Sequence, residues 1–220
     1  RYMSGGKHRV PLTVVSFVAR KIGEGGQHSQ SLQSVFAHFP GLKVVMPTNP
    51  VDAKGLLIAA IDDDDPVIVL FHRELFDEEA DVSIDLFSLP LGFGRKIKEG
   101  VDITVVAVSA AVKDALVVAR QLQSHIDIEV IDLCSIRPYD RNLILNSVRK
   151  TGRLLVVDTG WRSFGVSSEI IAMVCGEMSL KARPQRIALP EVPAPATPFL
   201  LKNYHPNSEK ISKAVIRMID

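Results

Sequence analysis

Short runs of β-branched residues alternate along the chain with longer segments in which apolar residues recur at helical spacing. In the first half this pattern predicts three strands and two helices. The predicted strands are 11–19, 43–46 and 67–71, and the predicted helices are 29–39 and 51–61. Thr48, Asn49 and Pro50 make a good start for the second of these helices.

The second half repeats this alternation more regularly. Its predicted strands are 102–108, 128–133, 153–158 and 185–189, and its predicted helices are 111–124, 140–150, 165–178 and 208–219. Strands that alternate with helices of this length are typical of a parallel sheet covered on both faces. The pattern therefore predicts an α/β protein with two parallel sheets in tandem, each covered by helices.

A stretch with the composition of an interdomain connection separates the two halves. Residues 89–98 contain a proline and two glycines within a few positions. The glycines are not a dinucleotide-binding fingerprint, because no helix begins behind them. We therefore predict a first domain over 1–88, a linker over 89–98 and a second domain over 99–220.

The balance of charge gives no reason to expect a nucleic-acid or membrane partner. Lys and Arg number 26 and Asp and Glu number 25, so the formal net charge is +1. No apolar run reaches the roughly 18 residues of a membrane span, and no signal peptide opens the chain. Cys134 and Cys175 lie in apolar runs and are expected to pack as small hydrophobes in a reducing compartment.

His28 lies where a ligand site is expected in this class of fold. It falls on the loop that joins a predicted strand end to a predicted helix start, just after Gly25 and Gly26. Ligands of parallel sheets bind at the carboxyl edge of the strands, and histidine exchanges protons near neutral pH. The residues leave two interpretations open, a proton-transfer group or a histidine that only braces the loop. Ser29 or Ser31 is expected to cap the helix that follows.

Four consecutive aspartates, Asp62 to Asp65, follow the predicted helix 51–61. Such a run is usually a solvated turn at the surface. The alternative is a cation site in which aspartate oxygens join the carbonyl groups left free at a helix C-terminus. Hard oxygen ligands of this kind suit a group I or group II cation rather than zinc.

Several blocks of the sequence resemble successive blocks of one known family. In the first half they are 1–6 (RYMSGG), 27–31 (QHSQS), 39–45 (FPGLKVV) and 52–57 (DAKGLL). In the second half they are 130–133 (VIDL), 136–138 (IRP), 160–161 (GW), 164–166 (FGV) and 169–170 (EI). The family is the β subunit of the thiamine-diphosphate-dependent 2-oxo acid dehydrogenase E1 component. The chain is similar to its pyruvate, branched-chain and acetoin members about equally.

The resemblance implies a pyrimidine-binding domain, only partly present in 1–88, followed by a transketolase C-terminal domain. Family members work as α2β2 heterotetramers and transfer acyl groups to an E2 partner. Their thiamine diphosphate lies between subunits, with the diphosphate and magnesium held by α and the aminopyrimidine contacted by a glutamate of β. That glutamate belongs to a segment of the family that precedes Arg1. The resemblance therefore implies no cofactor-binding residue in this chain, which is expected to be inactive alone.

The resemblance also assigns roles to individual positions. His28 matches the family's active-site histidine, which is implicated in acyl transfer to the lipoyl arm. The family binds a potassium ion in the β subunit, and its ligands match Leu12, Thr13, Ala60, Ile61, Asp63 and Asp65. At Asp65 the family usually has asparagine, so this chain adds a negative charge there. Lys181 stands where the family often has an aspartate that helps to dock E2, so E2 docking is expected to differ.

The expected function is oxidative decarboxylation of a 2-oxo acid, pyruvate first, with acyl transfer to lipoamide. Residues 17–26 lack the Arg-Gly-Pro and extra glycines common in the family before the histidine. Two alternatives stay open, a non-catalytic assembly module and a related transketolase-like enzyme. The expected compartment is the bacterial cytoplasm, with the mitochondrial matrix as the alternative.

Overall fold

The computed structural model describes residues 1–18 and 23–219, and it arranges them as two β-sheets flanked by helices. The strands are β1 (Thr13–Val18), β2 (Lys43–Val45), β3 (Val67–His72), β4 (Arg95–Lys98), β5 (Ile103–Ala107), β6 (Ile128–Asp132), β7 (Ser135–Arg137), β8 (Leu154–Trp161) and β9 (Gln185–Leu189). The helices are α1 (Gly25–His28), α2 (Gln33–His38), α3 (Pro50–Ile61), α4 (Ala111–Gln121), α5 (Arg141–Thr151), α6 (Val166–Glu177), α7 (Pro198–Tyr204) and α8 (Ser208–Ile219). The class predicted from the sequence is confirmed.

The first sheet has the strand order β1-β3-β2-β7. Its strands β1, β3 and β2 are parallel, as the alternation of strands and helices predicts. The fourth strand, β7, comes from the second half of the chain and pairs antiparallel with β2. The two halves therefore share a sheet, a connection that no local pattern indicates.

The second sheet has the order β4-β6-β5-β8-β9 and is parallel except for β4. Val105 and Val106 illustrate its two faces. Val105 packs in a core with residues of α4 and α8, whereas Val106 packs in a core with residues of α5 and α6. The second of these cores also contains buried residues of the first sheet, among them Val44 and Leu70. One hydrophobic core therefore holds the two sheets together.

Several sequence predictions for single elements are confirmed and several are wrong. Asn49 caps α3 as expected, because its side chain accepts a hydrogen bond from the Asp52 N–H at 3.0 Å. The predicted linker 89–98 contains β4, a strand of the second sheet. Of the predicted helix 29–39 only α2, Gln33–His38, is helical, and the short helix α1 precedes the segment. Neither β7 nor α7 was predicted.

The longest of the described helices have 12 residues. Within residues 1–18 and 23–219, no helix combines the length and the apolar character that crossing a membrane would need.

A buried polar network supports the second sheet on the α5 side. Glu129 of β6 is fully buried and accepts hydrogen bonds from the Ser147 hydroxyl and the Lys150 ammonium. Ser147 in turn lies 2.7 Å from the hydroxyl of Thr104, which lies 2.8 Å from that of Thr151. Because the buried carboxylate is paired and hydrogen-bonded, its burial is compatible with a stable core.

Candidate functional site

A cleft lies between the segment around His28 and the second sheet. The cleft contains a cavity of about 610 Å³. It is lined on one side by Gly26, Gln27, Ser29 and Gln30, and on the other by Trp161, Ser163, Tyr204 and residues 191–194. Clefts at the carboxyl ends of parallel strands are where α/β proteins bind ligands, and Trp161 ends β8. The cavity is therefore a candidate binding site.

His28 lies beside this cleft. It is the last residue of α1 and is exposed, while its neighbours Gln27 and Ser29 line the cavity. An exposed imidazole beside a cavity can reach a molecule that enters from solvent. An exposed position beside the cavity is compatible with both interpretations of His28, a proton-transfer group and a brace of the loop.

The two serines that follow His28 do not cap a helix as expected. The residue that precedes α2 is Leu32, and it provides no side-chain cap. Ser29 and Ser31 are both buried, and their hydroxyl oxygens have no hydrogen-bond partner among the described residues. A buried hydroxyl without a partner costs about 1–3 kcal/mol. Packing of this segment against the second half must therefore outweigh the unfavourable free energy of burying the two hydroxyls.

Sequence reasoning missed Asp158, a buried residue three positions before Trp161 of the cleft. It lies in β8 and is fully buried, with its carboxylate at the start of α6. Its Oδ1 accepts the N–H of Gly160 at 2.8 Å and the side-chain amide of Gln33 at 3.2 Å, and its Oδ2 accepts the N–H of Ser167 at 3.1 Å. Burial raises the pKa of the Asp158 carboxyl, and these hydrogen bonds oppose that rise.

Gly160, near the end of β8, and Gly165, in the loop after it, allow this arrangement. A Cβ on Gly160 would lie 2.7 Å from the Gln33 amide nitrogen, and a Cβ on Gly165 would lie 2.9 Å from Asp158 Oδ2. Gly165 is required, because a Cβ there would also lie 2.2 Å from the Trp161 carbonyl oxygen of the backbone. At Gly160 the flexible end of the Gln33 side chain would have to move instead. The blocks 160–161 and 164–166, which carried the family resemblance, therefore lie against the Asp158 carboxylate. The sequence signal that could have pointed to it was an acidic residue within an apolar strand directly before a glycine-rich loop.

A second buried charged cluster joins the two halves away from His28. Arg95 of β4 donates to the carboxylate of Asp52, in α3, and to Asp132 Oδ2 at 3.1 Å. Asp132 Oδ1 also accepts the Thr48 hydroxyl at 2.9 Å. Both carboxylates are about 1% exposed. Burial raises the pKa of Asp52, and the Arg95 guanidinium opposes that rise.

This cluster is an ion-paired contact between the two halves and not a metal centre. Ligand atoms of Asp52, Asp132 and Cys134 lie within 4.8 Å of one another. The Arg95 guanidinium is already paired with both carboxylates. Burial raises the pKa of the Cys134 thiol well above its usual range, so the thiol stays protonated and is a poor ligand. Cys134 is buried, as the sequence predicts, whereas Cys175 is exposed.

The predicted cation ligands lie close together, where the end of α3 meets the start of β1. The Thr13 hydroxyl donates to the Ala60 carbonyl at 2.9 Å, and the Leu12 carbonyl accepts the N–H of Val67 at 2.9 Å. The carboxylates of Asp63 and Asp65 face the Lys43 ammonium, at 2.6 and 3.1 Å. These carboxylates are therefore already paired with an internal cation.

Two family models match the chain in succession. "Transketolase, pyrimidine binding domain" matches residues 1–78, and "Transketolase, C-terminal domain" matches residues 92–211. Among solved structures, "Split gene transketolase, inactive beta4 tetramer" superposes with a TM-score of 0.81 over 96% of this chain and 68% of that one. Its sequence identity is 21%, so this likeness concerns the fold alone.

Curated relatives are similar over the whole chain. The acetoin:2,6-dichlorophenolindophenol oxidoreductase subunit beta of Bacillus subtilis (strain 168) is 39% identical over 222 residues, which cover all of this chain. The pyruvate dehydrogenase E1 component subunit beta of Rickettsia bellii (strain RML369-C) is 39% identical over 217 residues, or 97% of this chain. The chain spans 65% of the length of the first relative and 67% of the second.

Proposed function

The chain belongs to the family of the β subunits of thiamine-diphosphate-dependent 2-oxo acid dehydrogenase E1 components, and from that premise we propose that it works as such a β subunit. The reaction is oxidative decarboxylation of a 2-oxo acid, pyruvate first, with transfer of the acyl group to lipoamide. The observation that carries the proposal is the exposed imidazole of His28 beside the cavity between the two halves. The relatives' enzyme names do not favour the non-catalytic module or a transketolase-like activity.

The proposed task of His28 is a single proton transfer. In acyl transfer to a lipoyl disulfide, a carbon–sulfur bond forms to one sulfur while the sulfur–sulfur bond breaks. The second sulfur leaves with the electron pair and takes a proton, which the His28 imidazolium donates. A histidine suits this step because the side chain ordinarily gains and loses a proton near neutral pH. Solvent restores the proton, since His28 is exposed.

Thiamine diphosphate, when bound, supplies the electron sink that decarboxylation requires. We propose that it lies between this chain and an α subunit, which holds the diphosphate and magnesium. The cleft fits such an arrangement, because Ser29 and Ser31 bring buried hydroxyls without partners to the same segment that carries His28. We assign no residue of this chain to direct cofactor contact.

The proposed partners are an α subunit, a second β subunit and the E2 acyltransferase. The balanced charge supports neither a nucleic-acid nor a membrane partner. At the position where the family often carries the E2-docking aspartate, the Lys181 ammonium donates to the carbonyl of Thr151 at 3.3 Å. A cation at the C-terminus of α5 stabilises that helix end. We therefore propose that E2 docks on this chain with a different charge pattern.

Potassium is the proposed cation at the end of α3. Its ligands would be oxygens of Leu12, Thr13, Ala60, Ile61, Asp63 and Asp65. The residues fit the ion through main-chain carbonyls, because helix C-termini leave carbonyl oxygens available and a carbonyl has two lone pairs. The Asp63 and Asp65 carboxylates, paired with Lys43, would supply negative charge around the site.

We expect the melting temperature of the unmodified protein to be higher in potassium chloride than in tetramethylammonium chloride at equal ionic strength. An ion that binds only the folded state stabilises it by mass action. Asp63→Ala should abolish this difference, because it alters the turn that presents the ligands. Asp62→Ala is the matched control, since Asp62 is exposed in the same turn and should keep the difference. Equal melting temperatures of the unmodified protein in both salts would rule the site out.

The experiment that tests the function is a lipoamide-linked assay of the full-length β subunit mixed with its α partner. We expect thiamine-diphosphate-dependent reduction of lipoamide with pyruvate, and the same assay with branched 2-oxo acids and acetoin identifies the acyl group. Turnover with none of these substrates would exclude the proposed function and leave the assembly module as the better interpretation.

A further inference from the structure

We infer that Asp158 and Gln33 form a positioning pair that fixes the segment carrying His28 against the second sheet. Gln33 is the first residue of α2, five positions after His28, and Asp158 lies in β8. Neither side chain is assigned a contact with reacting groups. Their effect on acyl transfer would be exerted through the place and orientation of His28.

The Asp158 carboxylate is held in one orientation, and a polar group placed beside it must be a hydrogen-bond donor. Both of its oxygens accept main-chain N–H groups, from Gly160 and Ser167, and the side chain is fully buried. A group placed opposite this carboxylate must therefore donate a hydrogen bond or carry a proton. The Gln33 amide meets that need at 3.2 Å, and it also donates to the Thr159 hydroxyl at 3.4 Å.

The rest of the segment offers little polar anchorage of its own. Ser29, Ser31 and Gln33 are its buried polar side chains, each at most 2% exposed. The hydroxyls of Ser29 and Ser31 have no hydrogen-bond partner among the described residues. Gln33 is the one of these three whose side chain bonds to the second half of the chain. The Arg137 guanidinium also reaches the segment, where it donates to the Ala37 carbonyl at 2.9 Å. The Gln33 amide is therefore the side-chain contact of the segment with the second half, and it lies nearer to His28 than the Ala37 contact does.

The Gln33 side chain also lies close to the backbone of β8 at Gly160. A Cβ there would meet the Gln33 amide nitrogen at 2.7 Å. Gln33 can approach the backbone this closely because position 160 carries no side chain. A displacement of a reacting group by about 1 Å can lower the rate about a hundredfold. A segment held in one position would therefore keep His28 where proton transfer is fast.

The first test observes His28 directly and needs no activity. The full-length protein, labelled with carbon-13 at the histidine rings and assembled with its α partner, should give one His28 ring signal. Gln33→Met removes the donor and keeps the length of the side chain, so we expect the His28 signal to split or broaden. Ser147→Ala is the control, because it removes a buried hydrogen bond from the Glu129 network of the second sheet. It should leave the His28 signal unchanged.

A pH series with Gln33→Glu gives a second, independent variant. At high pH two carboxylates would face each other at this position, whereas at low pH the introduced carboxyl group is protonated and can donate to Asp158. We expect the single His28 signal to return as the pH falls in this variant, and not in Gln33→Met. A single unchanged His28 signal in Gln33→Met would overturn the inference, as would a His28 signal in Gln33→Glu that stays split at low pH.

The second test rests on the proposed function and is separable from it. In the assembled enzyme, Gln33→Met should lower acyl transfer to lipoamide about ten- to a hundredfold relative to decarboxylation with an artificial electron acceptor. Ser147→Ala should keep the ratio of the two activities. If the His28 signal splits while the ratio stays constant, the positioning pair stands and the proposed role of His28 fails.

Discussion

We expect His28→Ala, in an assembled enzyme with its α partner, to lower acyl transfer to lipoamide about a hundredfold to ten-thousandfold. Decarboxylation measured with an artificial electron acceptor should fall far less. The physical reason is that only acyl transfer releases a sulfur that must take up a proton. His28 is exposed beside the cleft, so its removal deletes a proton donor without opening a cavity in the core.

Two measurements distinguish this result from a structural role of His28. His125→Ala is the matched control, since His125 is also exposed but follows α4, away from the cleft, and both activities should be retained. Cofactor affinity is measured in parallel by titration of thiamine diphosphate. A parallel loss of the two activities together with weaker cofactor binding would mean that His28 braces the loop and does not donate the proton.

We expect Arg95→Met to cost about 3 kcal/mol of stability at neutral pH, because it leaves two buried carboxylates without their cation. In a chain of this size such a loss lowers the melting temperature by roughly 6–12 °C. Asp52 and Asp132 are about 1% exposed, so solvent does not replace the missing guanidinium. Arg141→Met is the matched control, because the Arg141 guanidinium pairs with Glu177 and both side chains of this pair are exposed.

The destabilisation caused by Arg95→Met should depend on pH in a defined direction. Burial already raises the pKa of Asp52, and without Arg95 the pKa of the folded state rises further. The folded state then binds a proton more tightly than the unfolded chain does. The stability difference from the unmodified protein should therefore shrink as the pH falls from 8 towards 4. A difference that stays constant over this range, measured by denaturant unfolding, would contradict the assigned cluster.

The sequence indicated part of the candidate site, but it did not indicate the hydrogen bonds that hold the segment of His28 against the second sheet. His28 was found because a histidine beside glycines on a loop after a strand is a local feature. Asp158 and Gln33 were missed because they are 125 positions apart and neither has a local pattern. The segment 29–39 was predicted as one helix from its apolar spacing. The structure instead buries Ser29, Ser31 and Gln33 against the second half.

By itself the sequence determined the class of the fold and the order of most of its elements. Apolar periodicity and β-branched runs depend on neighbours along the chain, so they identify strands, helices and caps such as Asn49 without knowledge of the fold. Three contacts were decided by the tertiary structure alone. Strand β7 pairs with the first sheet, Arg95 forms ion pairs with both Asp52 and Asp132, and Asp158 accepts a hydrogen bond from Gln33. These pairings depend on which distant groups packing brings together and removes from water, and no local pattern encodes that.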